Sequence, residues 1–271
     1  MMEPFLPNDS PALLGKPSTI SPQRPQRRNL KQWGLSILAV IYKAKVFLLF
    51  FSLIISMLVY GMAFGWAFGV GLVVLIGIHE SGHVLANRAR GIDASWPTFI
   101  PFFGAVISLR QNPANADDEA FIGIAGPVFG IFASIVSYGL YLATGQPMFA
   151  MLALFGMLMH IFNLIPVVPL DGGRTVAFLG WKAWGPGLVG LAVILFYNPV
   201  TNSFRLDPIT LIILVFIIWN FTRRVRHGVS PAYNDIPLSH KWFYGLLWAF
   251  LMGVSIAGYI YIGTVSHISL L

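Results

Sequence analysis

Four long runs without a charged residue constrain this chain more than any other feature. Val46–Phe64, Ala120–Ala143, Pro147–Leu170 and Trp242–Ser266 contain no Lys, Arg, Asp or Glu. An apolar run of about 18 residues or more is long enough to cross the hydrocarbon core of a bilayer as a helix. A soluble domain of this size has no interior to hold four of them. Composition agrees: only 10% of the 271 residues are charged, against about 25% in soluble domains. The expected fold class is an all-α polytopic membrane protein.

More spans fit between these runs. Trp66 to about Ala89 is apolar in its first half and carries polar residues in its second. Pro208–Phe221 is apolar and runs into Arg223, Arg224 and Arg226. Thr175–Asn198 is apolar but interrupted at Trp184-Gly185-Pro186-Gly187, so it reads as one kinked span or a broken helix pair. The expectation is six or seven transmembrane helices. Residues 1–32, rich in Pro, Ser, Gln and Arg, read as a disordered cytoplasmic tail. Residues 33–200 form the core, and 201–271 add C-terminal transmembrane helices of unassigned role. Between the second and third spans, Trp96–Arg110 is aromatic, apolar and proline-broken. It reads as a short interfacial β-hairpin or loop, with its prolines better suited to an edge strand.

The formal net charge is +7. In a membrane protein, basic residues collect on the cytoplasmic side, so this excess points to lipid and topology and not to nucleic acid. With seven spans and a cytoplasmic N-terminus, nearly every Lys and Arg lies inside and only Arg205 lies outside. The chain is then a multi-pass protein of the cell membrane. Cysteine is absent, which excludes disulfides, thiol nucleophiles and thiolate metal sites. Any bound metal must use His, Asp or Glu.

His79-Glu80-Ser81-Gly82-His83 supplies such a site. Residues four apart lie on one face of a helix, so His79 and His83 can grip one zinc ion. Glu80 stands beside them as general base for an attacking water. The bland alternative is a set of polar residues bonding neighbouring helices. Ionisable groups at membrane depth cost about 2.5–3.5 kcal/mol for a central Asp and tend to be functional. A zinc enzyme needs a third protein ligand and leaves one position open. Two carboxylates lie in or beside a long apolar run after the His pair: Glu119 and Asp171. A carboxylate with zinc and one hydroxide sums to zero charge, which is cheaper to bury than a net charge. Asp171 is preferred. Pro166 and Pro169 break helical bonding, and Gly172-Gly173 permit a sharp turn back toward the His pair. The competing reading of Asp171 is a plain helix C-terminus with a capping turn.

Both ligand groups fall toward the cytoplasmic side. His79 stands nine residues before Arg88, about 14 Å along a helix.

Taken together, these motifs resemble the site-2 protease family of intramembrane zinc metalloproteases. The resemblance covers roughly residues 66–200. It rests on His-Glu-x-x-His, on Ala125-Gly126-Pro127, and on Asn163-Leu164-Ile165-Pro166-Val167-Val168-Pro169-Leu170-Asp171-Gly172-Gly173. It implies one zinc per chain held by His79, His83 and Asp171, with Glu80 catalytic and Asn163 contacting substrate or an oxyanion. It implies hydrolysis of peptide bonds in or near transmembrane segments of membrane-protein substrates. It is to a compact form, without the PDZ or nucleotide-sensing domain that many members carry. The hairpin at 96–110 would hold an extended substrate by strand addition.

Other features read as structural. Gly123, Gly126 and Gly130 are small residues for close helix packing. His160 reads as a bonded helix–helix histidine, with a spare metal ligand as the other possibility. A membrane metal or proton transporter using the same polar cluster is the competing function.

Overall fold

A computed structural model describes residues 51–100, 104–106, 111–198, 203–204, 208–228 and 230–266. The expected tail at 1–32, the segment to residue 50 and the chain end beyond 266 lie outside the described residues. So do both flanks of the second hairpin strand. All described residues belong to one compact unit, Lys45–Leu271.

That unit is mostly helical. In chain order the helices are α1 (Phe51–Phe64), α2 (Trp66–Ala89), α3 (Ala116–Thr144), α4 (Pro147–Asn163), α5 (Asp171–Thr175), α6 (Trp181–Phe196), α7 (Pro208–His227) and α8 (Leu238–Ser266). Among the described residues, α2, α3 and α8 are long and apolar enough to cross a membrane; α1 and α4 are shorter apolar helices. Thr175–Asn198 does not form a broken helix pair. It makes a single 3-10 turn (Ala177–Leu179) and then α6, which is continuous through Pro186.

The boundaries have local causes. Helix α3 starts before its uncharged run does, because Asn115 caps it. The Asn115 side chain accepts the backbone N–H of Asp118 at 2.9 Å. Asp117, Asp118 and Glu119 follow in the first turn, where negative charge meets the positive end of the helix dipole. Helix α4 starts at Pro147, a position where the missing N–H costs nothing. It ends at Asn163, seven residues short of the apolar run. Pro166 cannot donate to a helical carbonyl and its ring crowds the preceding turn. Residues 164–170 are therefore a loop that leads into α5.

Helix α3 is the hub. It packs against α2, α4, α5 and α8, while α4 also packs on α8 and α2. Ile124, Ile131, Ala153, Leu154 and Met157 meet Leu251 and Ile262 of α8 in one core. Tyr60, Phe68, Leu72, Val73 and Ile76 meet Leu152 in another. The expected hairpin forms as β1 (Thr98–Ile100) and β2 (Gly104–Val106), antiparallel, with Phe99 opposite Ala105. Phe99 is buried in the second core, so the hairpin lies against α2. A shorter pair joins β3 (Tyr197–Asn198) to β4 (Ser203–Phe204).

Candidate metal centre

The middle of α2 is where the buried polar atoms collect. His79 and His83 stand one turn apart, 3% and 5% exposed. Asp171, the first residue of α5, is brought to them by the 164–170 loop. His79 Nε2 lies 3.1 Å from Asp171 Oδ2, and His83 Nε2 lies 3.3 Å from Oδ1. The two Nε2 atoms are 3.2 Å apart. One ligand atom from each of the three residues falls within 4.8 Å of the others, a spacing that can hold a metal ion.

Glycines allow this convergence. A Cβ on Gly172 would overlap the Leu164 carbonyl, and one on Gly173 would overlap the Val167 backbone. Only residues without side chains let the start of α5 press against its own incoming loop. Trp184 of α6 then anchors the turn, donating from Nε1 to the Gly173 carbonyl at 2.9 Å. Helix α3 closes the other side. A Cβ on Gly126 would occupy the place of His83 Nε2, and one on Gly130 would occupy that of His160 Nε2. From sequence these glycines read as scaffold. In the structure, two of them are the walls against which the imidazoles lie.

The donor set asks for a cation. His83 Nδ1 lies 2.8 Å from the Ile122 carbonyl. A carbonyl can only accept, so Nδ1 carries the hydrogen and neutral His83 presents a lone pair at Nε2. His79 presents its Nε2 to the same point. With both rings neutral, two nitrogen lone pairs and a carboxylate converge in a buried space. Without positive charge such lone pairs repel, and a bound divalent metal removes the conflict. Two imidazoles and one carboxylate, with one position left open, are a donor set that zinc accepts in catalytic sites. The residues fit the metal.

Glu80 follows His79 directly and is partly exposed. His79, His83, Asp171 and Arg174 are its titratable neighbours. Asn163 is the last residue of α4 and half-buried. The other carboxylate considered from sequence, Glu119, is engaged in a different place. Its Oε2 takes Arg224 Nη2 at 2.6 Å and the Tyr233 hydroxyl at 2.5 Å. Burial, and then the adjacent carboxylate, push the Tyr233 phenol well above its ordinary value, so it stays a donor.

The structure gives partners to two histidines that sequence reasoning left without one, and bears out the reading of His160 as a bonded helix–helix histidine. His160, fully buried, places Nε2 3.2 Å from His79 Nδ1. His240, in the first turn of α8, sits 2.7 Å from Asp117. Asp117 and Asp118 also bind Arg90 at 2.9 and 2.8 Å. His240, Arg224 and Tyr233 fasten the C-terminal segment to the start of α3, and Arg90 ties the end of α2 to the same turn.

Part of the chain is similar in sequence to known proteins. Residues 67–147 match Peptidase family M50, a stretch that holds the His pair and Glu80 and stops before Asp171. The putative zinc metalloprotease sll0528 of Synechocystis is 33% identical over 121 residues, 42% of this chain and 31% of that protein. A zinc metalloprotease of Methanocaldococcus jannaschii is 33% identical over 119 residues, 42% of this chain and 34% of that one. The chloroplastic probable zinc metalloprotease EGY2 of Oryza sativa subsp. indica is 28% identical over 214 residues, 60% of this chain and 36% of the relative. The matched part of this chain thus spans about a third of each relative's length. These matches support the site-2 protease family.

Proposed function

We propose that this chain, similar over part of its length to zinc metalloproteases, is a zinc-dependent intramembrane protease of the site-2 family. It hydrolyses peptide bonds in or near the transmembrane segments of membrane-protein substrates. The carrying observation is the buried convergence of Asp171, at the start of the short α5, with His79 and His83 on α2, a helix long and apolar enough for a bilayer, with Glu80 alongside.

His79, His83 and Asp171 hold the metal. Zinc supplies a Lewis acid that polarises the scissile carbonyl and activates water. The chain's own residues do the rest. The Glu80 carboxylate takes the proton of the attacking water and later delivers it to the leaving amine. The Ile122 carbonyl holds the His83 ring in place, and Gly126 leaves it room. Asn163 is assigned to substrate or oxyanion contact by family resemblance. The β1–β2 hairpin, laid against α2 through Phe99, offers a strand edge for a substrate that has lost its helix. A transporter needs polar groups at successive depths; the described residues hold one compact metal-competent group.

Glu80→Gln tests the chemistry. It is nearly isosteric, so zinc content should stay close to wild type while cleavage of a detergent-solubilised single-span substrate falls by about 10²-fold or more. Wild-type turnover with zinc bound would remove Glu80 from the mechanism. No cleavage by either form, across a broad panel of membrane segments, would favour the transporter.

The placement in the membrane follows from charge. A cytoplasmic N-terminus, seven spans and an active site facing the cytoplasm put residue 230 inside and the end of α8 outside. Reporter fusions after residues 230 and 266 should read opposite sides. The same side for both would mean that α8 does not cross.

A further inference from the structure

We infer that His160 is a positioning residue for His79, holding that imidazole in the tautomer that leaves Nε2 free for the metal. The inference rests on the zinc reading above.

The argument starts from a group whose role is fixed. The Gly156 carbonyl lies 2.5 Å from His160 Nδ1, and a carbonyl only accepts. Nδ1 of His160 therefore carries the hydrogen. Neutral imidazole has a single N–H, so His160 Nε2 bears a lone pair. That lone pair faces His79 Nδ1 at 3.2 Å. Two facing lone pairs would repel, so His79 Nδ1 carries a hydrogen and donates it. His79 Nε2 is left with its lone pair turned toward Asp171 and His83. Three groups on two helices thus fix one proton position at the ligand.

The two metal histidines reach the same tautomer by different routes. His83 donates directly to the Ile122 carbonyl of α3. His79 donates to an imidazole, which passes the hydrogen-bonding demand on to a carbonyl of α4. Position 156 is one turn before His160 on the same helix. The intervening ring bridges the distance from α4 to α2. Gly130 is part of the arrangement, because a Cβ there would collide with His160 Nε2. His160 is 0% exposed, and its ring tilts 53° to that of His79. Its Nε2 is committed to His79, so it is not a spare ligand.

A partner that orients a ligand histidine typically contributes 10–100-fold in metal affinity. The full chain in detergent would be titrated with zinc against a competing chelator, and the apo forms melted in parallel. His160→Leu removes the acceptor and should bind zinc about 10–100-fold more weakly. His160→Gln can accept from His79 with its carbonyl and donate to Gly156 with its amide, so it should recover most of that loss. If H160L does not fold, His160→Phe replaces it in the same comparison. Wild-type zinc affinity in the variant without an acceptor overturns the inference. So does an equal affinity loss in the Gln and Leu variants that tracks their apo melting temperatures, which would mean packing alone. A wild-type chain that binds no zinc overturns the zinc reading itself and this inference with it.

Discussion

Helices α2 and α8 are both long and apolar, yet 56% of the apolar window of α2 is buried and 17% of that of α8. Composition makes them look alike; what they touch does not. Helix α2 packs against α3 and α4 and carries the ligand histidines. Helix α8 covers the bundle with one face, through Leu251, Ser255 and Ile262, and exposes Phe243, Leu246, Phe250 and Ile260 on the other. In a bilayer those exposed residues meet lipid tails, which are as apolar as they are, so burying them gains little. The difference teaches that apolar surface places a helix in the membrane, while small residues and buried polar pairs decide which helices pack closely around a site.

Glycine substitutions can break that comparison, in graded order. Gly126→Ala should have the largest effect. Its Cβ would take the place of the His83 ligand nitrogen. Overpacking costs about 1–3 kcal/mol, and zinc affinity should fall with it. Gly123→Ala should cost less, since its Cβ would meet Arg174 Cβ at 2.9 Å and Thr175 N at 3.0 Å, beside the site and not in it. Gly253→Ala in α8 should be neutral or slightly stabilising. Nothing lies within 4 Å of the added carbon, and Ala gains up to about 1 kcal/mol over Gly in a helix interior. Zinc titration and thermal melting of the three variants check the series. An equal response at 126 and 253 would erase the distinction between the two helices.

Part of this was legible in the sequence for physical reasons. His79 and His83 are four apart on a helix, so their spacing reveals their shared face, with Glu80 adjacent in sequence. Asp171 was reachable because prolines and paired glycines mark a forced turn. The segment read as Trp66 to about Ala89 coincides with α2. The end of α4 was not: the apolar run continues to Leu170, but run length counts composition and ignores the N–H that Pro166 lacks. Helix α7 likewise continues past Phe221 through Arg223, Arg224 and Arg226 to His227. Charge ends an apolar run, whereas basic residues suit the last turn of a helix. The His79–His160 and Arg224–Glu119 pairs span 81 and 105 positions. No local pattern encodes such contacts; they exist only once α3 has brought its neighbours together. The close packing of Gly126 and Gly130 on imidazoles belongs to the same class.

The central claim is that His79, His83 and Asp171 together hold one zinc ion, and metal analysis of the purified chain and its Asp171→Ala variant tests it most directly. The account predicts about one zinc per wild-type chain, with two imidazoles and a carboxylate in its X-ray absorption spectrum. It predicts that Asp171→Ala, folded by melting and circular dichroism, loses most of that metal to a chelator the wild type resists. Undiminished zinc retention in the variant, with an unchanged absorption spectrum, would contradict it.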